Sequence, residues 1–141
     1  MLHPAPTTPI DSSLARGILE SAHTGHIVVS FPNTSYQMHL LVPLQIRAEP
    51  GKKVIGTIRV DARRVDIVDT GGKYVEPLMG RPRRVQGRVV ACNAAARTLT
   101  VDAGMPIHLH LLDQRQSAAD FAPGDLVSCD VRDGATFTPQ Q

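Results

Sequence analysis

From residue 25 onward the chain is written in short runs of β-branched and aliphatic residues cut by turn formers. His26-Ile27-Val28-Val29-Ser30-Phe31 reads as a strand that Pro32-Asn33 breaks. Ser35 to Val42 gives a second strand ending at Pro43, and Leu44-Gln45-Ile46-Arg47 alternates apolar with polar. Glu49-Pro50-Gly51-Lys52 is a turn, Val54 to Val60 a strand in which Gly56 marks a bulge, and Arg63 to Val68 a further strand. Thr70-Gly71-Gly72-Lys73 is a turn, and Tyr74 to Met79 leads into a distinct segment, Gly80 to Arg88, with four arginines and no acid. Beyond it the strand pattern resumes at Arg88–Cys92, Thr98–Val101, Pro106–Leu112 and Leu126–Arg132. In the third of these, Ile107, Leu109 and Leu111 share one face and His108 and His110 the other, the period of two of a half-buried strand. Gln114 to Phe121 is polar and alanine-rich, an excursion or short helix, and Asp133-Gly134 predicts a tight hairpin into Ala135-Thr136-Phe137.

Residues 1–24 have a different rhythm. Met1 to Ile10 holds three prolines and two threonines and reads as a flexible lead-in. Asp11, Ser12 or Ser13 then caps a predicted short helix running to Ala22, with Leu14, Ile18 and Leu19 on one face and Gly17 weakening it.

The strand-rich part divides into halves that look alike. Gly25-His26-Ile27-Val28-Val29-Ser30 parallels Gly87-Arg88-Val89-Val90-Ala91-Cys92. Pro50-Gly51-Lys52-Lys53-Val54 parallels Pro123-Gly124-Asp125-Leu126-Val127, and Ile58-Arg59 parallels Val131-Arg132. About five strands per half fit a small, partly closed barrel of the OB type, whose closure removes edge strands. Gly87-x-Val89 followed by Ser117-x-x-Asp120-Phe121-x-Pro123-Gly124-Asp125-x-Val127-x-x-x-Val131-Arg132 resembles the OB-like TOBE/molbindin modules, which occur in tandem. The resemblance implies the fold, and through the family's oxyanion-binding versions it raises small-oxyanion binding. Those versions carry a Lys-Ala-Ser-like element where this chain has Arg132-Asp133-Gly134, so no ligand residues carry over.

The expected architecture is therefore all-β: two tandem small OB-like barrels, or one merged barrel, with a short N-terminal helix. Its divisions are a lead-in with helix over 1–24, a first barrel over 25–79, an arginine-rich seam over 80–86 and a second barrel over 87–138. A hydrophobic fraction of 42% in 141 residues supports a core, and 4% aromatic with no Trp makes that core aliphatic. Cys92 and Cys129 are two cysteines in a long chain, which read as reduced, buried thiols rather than a disulfide framework. With no cationic leader, apolar signal core or membrane-length apolar run, the chain reads as cytoplasmic, with no membrane association.

The net charge of +2 is modest, but the basic residues cluster. Arg81, Arg83, Arg84 and Arg88, with Lys52 and Lys53 from the first half, form the candidate nucleic-acid-binding set, since arginine's planar donors match phosphate and a basic groove on an OB-like barrel tracks a polyanion backbone. Arg59, Arg63 and Arg64 add to the basic density of the first half. Tyr36, Tyr74, Phe31 and Phe121 are the candidates for stacking bases. Against this stands a structural reading, in which the arginines pair with Asp61, Asp66, Asp69 or Glu76 and tie the halves together. His108 and His110 at i and i+2 would hold a metal only with a third ligand such as His26, His39, Cys92 or Asp113, and an exposed polar strand face is the better reading. No Gly-x-Ser-x-Gly, His-Glu-x-x-His or Cys-x-x-Cys is present, and both cysteines lie in apolar strand contexts that disfavour thiolate. The sequence thus points away from an enzyme and from any cofactor. It points toward a binding or adaptor module for a polyanion such as single-stranded nucleic acid, or for a protein partner. A self-assembling structural or regulatory barrel protein, forming a homo-oligomer, is the alternative from another class.

Overall fold

The computed structural model describes residues 13–43, 46 and 48–140, and it is built of strands. In chain order these are β1 (Ala15–His23), β2 (His26–Ser30), β3 (Gln37–Leu41), β4 (Lys53–Ile67), β5 (Tyr74–Glu76), β6 (Met79–Gly80), β7 (Arg84–Asn93), β8 (Thr98–Asp102), β9 (Pro106–Leu111), β10 (Leu126–Val131) and β11 (Thr136–Pro139). One turn of 3-10 helix, Ala118–Asp120, sits in the alanine-rich excursion, capped by Ser117 and Asp120 in a reciprocal capping box. All eleven strands join in one mixed sheet. No helix among the described residues is long and apolar enough to cross a membrane.

The predicted N-terminal helix is absent, because its segment is β1. Ala15, Gly17 and Leu19 are buried while Arg16 and Glu20 face out, a period of two that two small inward residues disguise in the sequence. The strand is held on one side by β2 and on the other by the start of β4, so tertiary pairing overrides a marginal helical stripe. The lead-in over 1–10 and the proposed caps Asp11 and Ser12 lie outside the described residues, as does most of the alternation at 44–47.

The two strands expected at Val54–Val60 and Arg63–Val68 are one continuous 15-residue strand, β4. The bulge expected at Gly56 is not there. Gly56 pairs in register with Ala15 on one edge and Pro139 on the other. Its reason for lacking a side chain is contact, since a Cβ would come within 2.6 Å of Phe137 Cζ and collide with the Thr138 carbonyl. The register shift occurs further on: Val131 faces Ala62 but Cys129 faces Val65, leaving an extra residue on β4. Arg63 and Arg64 consequently both face solvent between buried Ala62 and Val65.

The hairpin predicted at Asp133-Gly134 is also corrected. β10 and β11 do not pair with each other, but lie end to end along one edge of β4. The Arg132 N–H donates to the Asp61 carbonyl at 2.8 Å, so the chain keeps following β4 through the turn, where Gly134 takes φ +111°. On the opposite edge of β4 lie β1, antiparallel, and β9, parallel.

Two closed circuits of pairing result, and both pass through β4. One runs β1-β2-β3-β11-β4 and back to β1; the other runs β4-β10-β7-β8-β9 and back to β4. The second follows the pairing order of the first. Ile18–Ser30 and Leu19–Val29, with a shift before Ser21, correspond to Arg88–Asp102 and Val89–Val101 with a shift before Ala91. Leu19 exchanges main-chain hydrogen bonds with Gly51 and Lys52, as Val89 does with Gly124 and Asp125. A Cβ on Gly17 would strike the Ser30 carbonyl and one on Gly87 the Asp102 carbonyl. In this scheme the counterpart of Gly87 is Gly17, one strand earlier than the sequence match at Gly25, while the match of Pro50-Gly51 with Pro123-Gly124 stands in register. Each circuit is completed by a strand from elsewhere: the second half of β4 closes the β7–β10 circuit, and β11 closes the β1–β4 circuit. One contiguous core fills both, with Leu19, Ile27, Met38, Leu40, Ile58 and Phe137 in one and Leu99, Ile107, Leu109 and Leu111 in the other, all under 2% exposed.

Candidate polyanion groove

The arginine segment is pinned main chain to main chain. After the cis Glu76–Pro77 bond and β6, the Arg83 N–H donates to the Glu76 carbonyl and the Arg83 carbonyl accepts from the Val131 N–H, both at 2.8 Å. Pro82 is buried, and Arg84 opens β7 between Glu76 of β5 and Asp130 of β10. Arg81, Arg83 and Arg84 are therefore presented from fixed backbone.

They line one open groove together with Arg63, Arg132, Glu76, Asp130 and Asp133. The five arginines come from three segments far apart in sequence. The bulge in β4 turns Arg63 outward, and the turn between β10 and β11 supplies Arg132. Three carboxylates offset part of the charge. Arg81 Nη1 donates to Asp133 Oδ2 at 2.9 Å, and Arg84 donates to Asp130 Oδ1 through Nη1 and to Ser128 Oγ through Nη2, both at 2.7 Å. The Tyr74 hydroxyl, followed by Asp130, holds the Arg84 guanidinium above its ordinary pKa. Among the described residues, Arg63, Arg83 and Arg132 make no ion pair. A neighbouring depression lined by Arg63, Arg64, Leu112, Asp113 and Arg132 shares two of these residues, so the basic surface continues past the groove.

Of the residues predicted from sequence, Arg81, Arg83 and Arg84 meet here. Arg88 lies further along β7 and donates to the Gly124 carbonyl at 2.9 Å; Lys52, just before β4, and Lys53, its first residue, do not line the groove. Arg63, expected only as part of the basic density of the first half, joins them, and Arg132 is the addition, which nothing local marks. The carboxylates that engage Arg81 and Arg84 are Asp133 and Asp130 rather than the Asp61, Asp66, Asp69 and Glu76 of the structural reading. None of the aromatic candidates lines the groove. Phe31 and Phe121 are buried, the Tyr36 hydroxyl accepts from the Val75 N–H at 3.0 Å, and the Tyr74 hydroxyl donates to Gln86 Oε1 at 3.2 Å.

The histidines of β9 have local partners. His108 Nε2–H donates to the Ser13 carbonyl at 2.8 Å, which leaves Nδ1 to accept from Thr100 Oγ1 at 3.1 Å. His110 Nδ1 lies 3.1 Å from Asp61 Oδ1. No group of three His, Cys, Asp or Glu among the described residues is arranged to hold a metal. Burial pushes the Cys129 thiol up to about 12. Cys92, expected to be buried, is exposed instead, and its thiol is raised by partial desolvation and then by Asp125. Comparison of the sequence with protein-family models and with curated proteins finds no match.

Proposed function

We propose that the chain is a non-enzymatic binding module that holds a linear polyanion, single-stranded nucleic acid foremost, along the arginine groove. One observation carries this reading: five arginines from three distant segments converge on one open groove, and three of them have no carboxylate partner among the described residues. Folding brings like charges together there at an electrostatic cost, which a bound polyanion would repay. The continuation of the basic surface past Arg63 and Arg132 favours an extended ligand, since a single small oxyanion would use one or two of these arginines. The two circuits are read as two OB-like barrels that have exchanged their fifth strands, so that the groove lies where the chain crosses between them. Self-assembly through exposed strands has less support, because closing both circuits occupies the edges of most strands.

The test is fluorescence anisotropy of labelled single-stranded DNA and RNA over a range of salt. Each neutralised phosphate contributes about 0.7 to the slope of log affinity against log salt for single strands. Arg83→Ala/Arg132→Ala removes two cations that make no ion pair among the described residues, so the slope should fall by about 1.4 with the fold intact. Unchanged affinity and slope in this variant would refute the proposal.

A further inference from the structure

We infer a second anion site beside the groove, which takes a phosphate monoester at the end of the bound chain; it rests on the reading of the groove as a polyanion track. A cavity of about 330 Å³ is lined by His26, His39, Arg81, Asp133 and the apolar Leu41 and Ala135, among others. The pattern of β2 and β3 places both imidazoles on one face. Ile27, Val29, Met38 and Leu40 point into the core, so His26 and His39 point out, on neighbouring strands whose register pairs His26 with Leu41 and His39 with Val28. Arg81 approaches from the connection between β6 and β7. Arg81 and Asp133 line this cavity and the groove alike, so a chain lying in the groove reaches the cavity at Arg81.

The chemistry of the lining selects the ligand. Two imidazoles and a guanidinium fork supply donors from two sides, over an apolar wall that no base edge is needed to satisfy. A phosphate monoester offers three terminal oxygens and a charge of about −1.5 to −2 at neutral pH, against two oxygens and one charge for each internal diester. Among the described residues, the only carboxylate lining the cavity is Asp133, which engages Arg81 at 2.9 Å. That pair is about two-thirds exposed on both sides, so it is weak and a dianion displaces it. Asp133 thus acts as a built-in competitor for Arg81, and the site discriminates an end from the interior of the chain.

The experiment compares oligonucleotides of one sequence with phosphate or hydroxyl ends, using the full chain. The phosphorylated form should bind about tenfold tighter, the scale of one or two charge-assisted hydrogen bonds. His26→Ala/His39→Ala should erase that preference while leaving the salt slope of the hydroxyl-ended strand unchanged, and Asp133→Asn should widen it. Equal affinity for both ends, or a preference that survives in the double histidine variant, overturns the inference. If neither oligonucleotide binds, the groove reading falls, and the cavity is decided by titrating inorganic phosphate against the histidine side-chain NMR signals. Saturable shifts of His26 and His39 that vanish in Arg81→Ala uphold the site; unmoved signals overturn it.

Discussion

Phe137 is the side chain by which β11, arriving from the far end of the chain, completes the circuit of β1 to β4. It is 1% exposed and is the largest of the fully buried side chains. Phe137→Ala removes a whole buried ring, a change that costs about 3–5 kcal/mol in well-packed cores. Against a folding free energy of about 5–15 kcal/mol for a single domain, that is a large fraction. The structure also predicts a coupling. Phe137 packs on the backbone of Gly56, where an added Cβ would sit 2.6 Å from Cζ and 2.9 Å from Cε1 and would also strike the Thr138 carbonyl. Gly56→Ala alone should therefore be strongly destabilising. In the Phe137→Ala background the ring clash is gone and only the carbonyl clash remains, so the second substitution should cost at least about 1 kcal/mol less than it does in the parent. Urea denaturation of the four proteins closes the cycle. Costs that add to within about 0.5 kcal/mol would mean that the ring does not lie over Gly56, and that β11 is not the strand beside it.

Because its pKa is raised to about 12, Cys129 should carry almost no thiolate at neutral pH and resist a thiol reagent until the protein unfolds, while the exposed Cys92 reacts more slowly than a free thiol; rapid labelling of both in the native state would contradict the burial described. The Asp102 carboxyl is held below its ordinary value, chiefly by the hydrogen bond from Lys73 Nζ at 2.6 Å. A depressed carboxylate contributes stability that is present above the unfolded-state pKa and lost as pH falls through the folded-state value. With both side chains nearly half exposed, Lys73→Met should cost no more than about 0.5 kcal/mol at neutral pH, and the difference should disappear in acid below the carboxylate range. A penalty that persisted at low pH would assign Lys73 a packing role instead.

The strands of the second half were legible because their signals are local. In β9 the alternation of Ile107, Leu109 and Leu111 with His108 and His110 is a pure period of two, and the structure buries the first set and leaves the second part-exposed. β1 was misread for an equally physical reason: with Ala15 and Gly17 as two of its three inward residues, its apolar periodicity is carried by residues too small to register. The same holds for Gly56, where a contact with Phe137, 81 positions away, imitates the signature of a bulge. At the groove, the run from Arg81 to Arg84 was visible as composition. Its union with Arg63 and Arg132 was not, because a register shift and a turn supply those two.

What the sequence determined by itself is the all-β class, the positions of most turns, an aliphatic core and a clustered positive charge. These follow from backbone preferences and side-chain periodicity, which act over a few residues. Only the tertiary structure decided that β4 is a single strand shared by two circuits and that Asp133-Gly134 carries the chain onward along β4 instead of back along β10. It alone decided which arginines meet. A Gly turn permits several onward paths at similar local cost. The path taken here is selected by main-chain pairing with a strand some 80 residues earlier, Thr136 to Pro139 against Gly56 to Arg59. It is selected too by the burial of Phe137 against a core that exists only once β1 to β4 have assembled.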